Sequence, residues 1–310
     1  MTARPSSSGR RRPPAVAAAL AVVLPAVLVT ACGRAGPVTG SAGRPDSPPR
    51  YPAARDVSVP GSSVHTRAVR RGTVRVGVKS DHPFLGFEDP VTGRRYGFDI
   101  EIATMIAADL GFPADRIRWQ TVPPQARETA LAQKDIDYYV AAYTINDERK
   151  KRVSFAGPYY VAGQDLLVRA QDTGIRGPGD VRGRRVCSVD GSTPYQRISQ
   201  ARYGARVVGH DSYAHCVQDL ITGMVDAVTG DDAILKGYAA QNGRRLRVVG
   251  RPFSREPYGI GLAHDEAALR GAVNDALQHH MDNGDWLRAY RATLGRAGGP
   301  LPRPPLLRRY

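Results

Sequence analysis

Val74-Arg75-Val76-Gly77-Val78-Lys79-Ser80-Asp81-His82-Pro83, followed by Arg94-Arg95-Tyr96-Gly97-Phe98-Asp99, decides the fold. Val74, Val76 and Val78 alternate with Arg75 and Gly77, the period of a strand with one buried face. A polar loop with Lys79, Asp81 and His82 follows. The chain then turns into a helix capped by Asp99, with Ile102, Ile106 and Leu110 at helical spacing and Gly111 as its stop. Downstream, Ile117 and Trp119 suggest a second strand, 128–134 a short helix and 136–142 a third strand. Strand and helix in alternation argue for a parallel α/β sheet.

A second alternating set begins at the strand 185–189. Gly191-Ser192-Thr193-Pro194 turns into a helix, 206–208 is a strand, 213–222 a helix, and 226–228 a strand ending at Thr229-Gly230-Asp231-Asp232. A helix to 241 and a strand at 246–249 complete it, 256–262 crosses back, and helices 266–281 and 286–294 finish the chain. One α/β lobe is thus interrupted by another, with crossings near 162–168 and 250–258 as a hinge. In such folds ligands bind beyond the carboxyl ends of the strands, here between the lobes.

The ends of the chain read differently. Arg4, Arg10, Arg11 and Arg12 precede an apolar run, 15–29, interrupted by Pro25. That is short for a membrane span and right for the core of a secretory signal. It ends in Val29-Thr30-Ala31-Cys32-Gly33, which resembles the lipobox of bacterial lipoproteins and implies a diacylglyceryl thioether on Cys32. Residues 33–68, rich in Gly, Pro, Ser and Arg, read as a disordered tether, and 296–310 as a disordered tail.

The net charge of +15 would suit a nucleic-acid partner, but its distribution argues against one. Residues 1–72 hold eleven arginines and two aspartates, and 296–310 four arginines, so the body between is nearly neutral. The basic arm could lie against anionic headgroups. With Cys32 lipidated, Cys187 and Cys216 are left as an even pair in an oxidising compartment, either bonded or as two buried thiols. No metal-ligand spacing is present, no cofactor is implied, and His279-His280 beside Asp282 reads as a solvated helix face.

Four blocks carry a family resemblance. They are Tyr96-Gly97-Phe98-Asp99; Thr144-Ile145-Asn146-Asp147-Glu148-Arg149-Lys150-Lys151 with Val153-Ser154-Phe155-Ala156-Gly157-Pro158-Tyr159-Tyr160; Val225-Asp226-Ala227-Val228 with Asp231; and Glu256-Pro257-Tyr258-Gly259-Ile260-Gly261. In this order, after a lipobox, they resemble the polar amino-acid-binding proteins of ABC importers, solute-binding family 3, over roughly 70–295. Gly163-Gln164-Asp165-Leu166-Leu167-Val168, Val186-Cys187-Ser188, Gly191-Ser192-Thr193-Pro194 and the cysteine pair look like the glutamate-binding lipoproteins among them.

The resemblance implies a two-lobe, periplasmic-binding-protein-like (type II) clamp: a signal peptide at 1–32, lobe 1 from 69–162 and 251–295, and lobe 2 from 163–250. Arg149 matches the position that grips the ligand's α-carboxylate, its guanidinium offering two parallel donors. Thr144 and the backbone at Ala142 would line the same pocket. Asp231 matches the acid for the α-ammonium, although it also suits a helix N-cap and Asp232 rivals it. Ser192 and Thr193 sit at a helix start that favours an anion. Lys79 would complement a side-chain carboxylate rather than the amide of glutamine, with Arg127 a lesser candidate for that role and Asp81 a lesser ligand-binding candidate; the implied ligand is L-glutamate, with glutamine or aspartate as the alternative. Ser80 and Pro83-Phe84-Leu85 depart from the pattern. The implied protein is a monomeric receptor at the outer face of the cytoplasmic membrane, serving ABC permease subunits. Two further readings are a tethered sensor and an enzyme, since relatives of this fold act as dehydratases. Against an enzyme, the sequence shows no Ser/His/Asp constellation and no paired acids beyond Asp231-Asp232.

Overall fold

The structure, a computed structural model, describes residues 50–309. The signal segment, Cys32 and the tether as far as residue 49 lie outside the described residues.

Along the chain come α1 (Ser63–Arg71), β1 (Val74–Val78), β2 (Asp81–His82), β3 (Gly86–Glu88), β4 (Arg95–Tyr96) and α2 (Phe98–Asp109), then β5 (Ile117–Thr121), α3 (Arg127–Ala132), β6 (Tyr138–Thr144), α4 (Asp147–Lys150) and β7 (Val153–Ala162). The second lobe follows with β8 (Gln164–Arg169), β9 (Arg185–Val189), α5 (Thr193–Ile198), β10 (Arg206–His210), α6 (Tyr213–Thr222), β11 (Ala227–Asp231), α7 (Asp232–Gln241) and β12 (Leu246–Val248). The chain returns through β13 (Glu256–Ala263) to α8 (Ala267–Asp282) and α9 (Asp285–Ala292).

Lobe 1 is built on a five-stranded sheet ordered β5-β1-β6-β13-β7, and lobe 2 on one ordered β10-β9-β11-β8-β12. Each sheet is parallel where strands alternate with helices, as β1 with β5 and β6, and β9 with β10 and β11. The parallel order gives way to antiparallel pairing at the crossings. There β13 runs antiparallel to β6 and β7, and β8 antiparallel to β11 and β12, because these strands arrive from the other lobe rather than over a local helix. The hairpin sheet β2-β3-β4 occupies what the sequence reads as a plain loop.

Four other expectations need correction. Asp99 does not cap α2: the cap position is Gly97, at φ 125, and Asp99 is fully buried. A Cβ on Gly97 would fall 2.1 Å from the Leu85 carbonyl oxygen, so only glycine fits that entry.

The tether does not extend to residue 68. α1 packs with Val64, His65 and Ala68 buried, and buried Glu266 accepts hydrogen bonds from Ser62 Oγ (2.5 Å), Ser63 Oγ (2.7 Å) and the Val64 amide (2.9 Å) at its start. Ahead of it the Ala54 amide donates to the Ala108 carbonyl at 2.9 Å.

The tail is not free over its described length: the Arg308 amide donates to the Gly157 carbonyl at 2.9 Å, and Leu307 packs against the core. His280 is buried rather than solvated, between Asp109 and Asp285.

The core of lobe 1 is aromatic. Phe98 meets Trp286 edge-on at 5.3 Å, and the Trp286 indole N–H donates to the Tyr159 carbonyl at 2.8 Å. Tyr159, Tyr160 and Tyr258 extend this cluster toward the lobe boundary. In lobe 2, a disulfide joins Cys187 on β9 to Cys216 on α6.

Candidate functional site

The carboxyl ends of β1 and β6, with the loop before α3, face the ends of β9 and β11 across one narrow cleft. Lobe 1 contributes Lys79, His82, Pro124, Arg127, Ala142, Thr144 and Arg149; lobe 2 contributes Val189, Ser192, Thr193, Tyr213 and Asp231. Seven residues expected at the site from the sequence, and Arg127 with them, therefore line one space.

Arg149 is held rather than free on a turn. Asn146 caps the short helix α4 by accepting from the Arg149 amide at 2.9 Å, which turns the side chain inward. The guanidinium is 5% exposed, lies 4.9 Å from the Tyr143 ring centroid, and donates to the Thr144 carbonyl at 2.6 Å. Burial, then the neighbouring Arg127 charge, lower its pKa to about 10, which leaves it a cation at neutral pH. Lys150 and Lys151 instead pair with Asp147 and Glu148 at the surface.

Asp231 ends β11 and occupies the N-cap position of α7, yet its side chain makes no capping bond. One carboxylate oxygen accepts from the Tyr258 hydroxyl at 2.9 Å, and the other is buried without a partner. Burial, then the Glu256 charge, push its pKa up to about 8; the Tyr258 hydroxyl and Arg149 oppose the rise. A buried carboxyl group with one unpartnered oxygen and a raised pKa is suited to a cationic partner. Asp232, the rival, is spent on the hinge: it accepts from the Gly163 amide at 3.0 Å and pairs with Lys236 at 2.5 Å.

The remaining candidates divide. Ser192 caps α5 by accepting from the Tyr195 amide at 3.1 Å, and the Thr193 hydroxyl donates to Glu256 at 2.8 Å. Ala142 takes a positive φ of 47 and gives its amide to buried Asp99 (3.1 Å) and Tyr159 Oη (3.2 Å), so that N–H faces away from the cleft. Lys79 is buried and lies 3.2 Å from Asp81 Oδ1. Arg127 lies over the Tyr143 ring at 4.0 Å and pairs with Glu128 at 3.2 Å.

Asp81 does not line the cleft. It stands at the lobe boundary, where it accepts from the Tyr213 amide at the start of α6 at 3.0 Å, and its carbonyl accepts from the Tyr238 hydroxyl.

Contacts between the lobes fasten the closed form. Arg127 and Arg149 both donate to the Gly191 carbonyl, at 3.2 and 3.3 Å. Arg197 donates to Glu256 at 2.7 Å.

Sequence reasoning missed His82, Tyr213 and Tyr258. His82 is buried, and burial lowers its pKa to about 4, so it faces the cleft as a neutral ring. Tyr258 sits inside a quoted motif, but its bond to Asp231 joins residues that only the fold brings together.

The description "bacterial extracellular solute-binding proteins, family 3" matches residues 74–295 of the chain. The glutamate-binding protein GluB of Corynebacterium efficiens is 37% identical over 238 residues, covering 74% of this chain and 81% of that one. The ABC transporter glutamine-binding protein GlnH of Bacillus subtilis is 36% identical over 216 residues, 69% of this chain and 78% of its own. Among solved structures, an ancestral arginine-binding protein bound to arginine superposes with a TM-score of 0.67 at 34% identity, over 71% of this chain and 97% of that one.

Proposed function

Because the chain belongs to the bacterial extracellular solute-binding proteins of family 3, we propose that it captures an amino acid, L-glutamate foremost, between its lobes and delivers it to an ABC permease. In this reading a lipid on Cys32 keeps the receptor at the outer face of the membrane. Arg149 takes the α-carboxylate, Asp231 the α-ammonium, and Lys79 with Arg127 the side-chain carboxylate. Ser192 and Thr193 close on the same ligand from lobe 2.

The observation that carries the reading is the pairing of opposite charges from opposite lobes. Arg149 belongs to lobe 1 and Asp231 to lobe 2, and both line one closed space. An amino-acid zwitterion carries the complementary charges about two bonds apart, so one molecule can satisfy both and favour closure. The two extra cations, Lys79 and Arg127, favour an acidic side chain in a poorly hydrated cleft.

A second reading has a specific observation behind it. Lys79 already has Asp81 at 3.2 Å, and Arg127 has Glu128 at 3.2 Å, so a neutral amide side chain also fits electrostatically. Calorimetry with glutamate, glutamine, aspartate and arginine decides between them. Glutamate should bind most tightly, and Arg149→Ala should lower its affinity at least a hundredfold. Undiminished binding by that variant would sink the assignment.

A further inference from the structure

We propose that Asp109, His279 and His280 bind a divalent cation of the zinc class on lobe 1, apart from the cleft. Among the described residues, these three bring a carboxylate oxygen and two ring nitrogens within 4.8 Å of one another, and none of them lines the cleft. Asp109 ends α2, and the two histidines sit in the last turn of α8.

Neighbouring residues on a helix point about 100° apart and do not ordinarily serve one group. Here both rings turn to the same carboxylate. His279 Nδ1 lies 3.1 Å from Asp109 Oδ2, and His280 Nε2 lies 3.4 Å from Asp109 Oδ1. A tetrahedral zinc ion with bonds of ~2.0–2.2 Å holds its ligand atoms roughly 3.3–3.6 Å apart. The His280 separation falls in that range and the His279 separation lies just below it.

An independent observation concerns His280. The residue is 4% exposed, and its Nδ1 lies 2.8 Å from Asp285 Oδ2. Asp285 also holds the Asn283 amide and the Arg288 guanidinium, so it is an acceptor and the Nδ1 hydrogen points at it. That leaves Nε2, which is buried, has no hydrogen-bond partner and is directed at Asp109. A histidine whose far nitrogen is fixed by a carboxylate while the near one faces other ligand atoms has the arrangement of a metal ligand with its supporting acid.

Tyr51 packs edge-on against the ring at 5.5 Å and closes one side, while the exposed flank of His279 leaves room for a water ligand. Two imidazoles and one carboxylate suit zinc, copper or nickel better than magnesium or calcium. Such an ion would join the ends of α2 and α8 beside Tyr51 and Ala54, where the incoming chain meets lobe 1.

The test titrates the chelator-treated protein with zinc chloride. One equivalent should bind, and zinc at 100 times its Kd should shift the folding equilibrium about a hundredfold toward the native state in thermal melts, while magnesium and calcium should not. Cobalt(II) should give the visible absorption of a four-coordinate site. His279→Ala and Asp109→Asn should weaken zinc at least tenfold, and Asp285→Asn about 10–100-fold. His215→Ala, which alters the separate surface pair of His215 with Asp211, should leave the zinc affinity unchanged. An imidazolium at His280 serving only as a bridge between two carboxylates would give no zinc-dependent stabilisation, and that result overturns the proposal. So does zinc binding that survives His279→Ala and vanishes in His215→Ala.

Discussion

Asp231 should govern whether the clamp closes without a ligand, and Asp231→Asn tests this. In the closed form the carboxyl group is fully buried, and its pKa is raised from 3.8 to about 8, first by burial and then by the Glu256 charge. In an open cleft the group returns to water and its ordinary range. Closed-form pKa above open-form pKa means that empty closure takes up a proton at any pH between the two. The empty closed form is therefore favoured in acid and loses ground as pH rises toward 8. At about 1.4 kcal/mol per unit, the penalty on closing empty at pH 7 is about 4 kcal/mol, roughly a thousandfold in the closed-to-open ratio. A ligand ammonium replaces the proton as the missing cation and removes the penalty.

The asparagine variant loses both the penalty and the ammonium partner. By small-angle scattering, the ligand-free wild type should be more compact at pH 5 than at pH 8. The variant should be compact and indifferent to pH, with glutamate affinity at least a hundredfold lower. A wild-type radius of gyration that does not move between pH 5 and 8, together with a variant that matches it, refutes the reasoning.

Three further outcomes follow from the same geometry. Asp81→Asn removes a charged acceptor from the Tyr213 amide across the lobe boundary, a bond of about 1.5–3 kcal/mol; ligand dissociation in stopped flow should accelerate at least tenfold, and an unchanged rate speaks against a latch at that position. Lys79→Ala should weaken glutamate more than glutamine in calorimetry, whereas an equal loss of both removes Lys79 from the specificity account. Replacing Cys187 and Cys216 by alanine opens a crosslink across a separation of 29 residues, worth about 3–4 kcal/mol in the chain-entropy model; chemical denaturation should show a loss of that order, and the glutamate affinity should also fall, because the bond holds the start of α6, with Tyr213, against β9.

What the sequence made legible was whatever depends on local period or on one motif. The β1 alternation and the α2 spacing place core side chains by short-range rules, and the end of β1 and the segment around Arg149 bring Lys79, Thr144 and Arg149 to the cleft. The failures share a physical cause. Glu266 at the start of α1, Tyr258 on Asp231 and Asp285 behind His280 satisfy buried groups with partners that the fold brings together. A buried polar group must find such a partner, but nothing in its own neighbourhood says which.

Composition misled for the same reason. The arginine-rich stretch before residue 72 reads as tether by content, yet a few apolar side chains and one capping carboxylate suffice to dock a helix of nine residues. Asp99 shows the effect at the site itself. Its position at a helix start fits a cap, but burial against Tyr159 and the Ala142 amide makes it a support for the cleft floor, with its pKa raised by burial to about 7. The cleft-lining residues Lys79, Arg149 and Asp231 were legible because their charge is their own, whereas the groups that aim them act through neighbours distant in the chain.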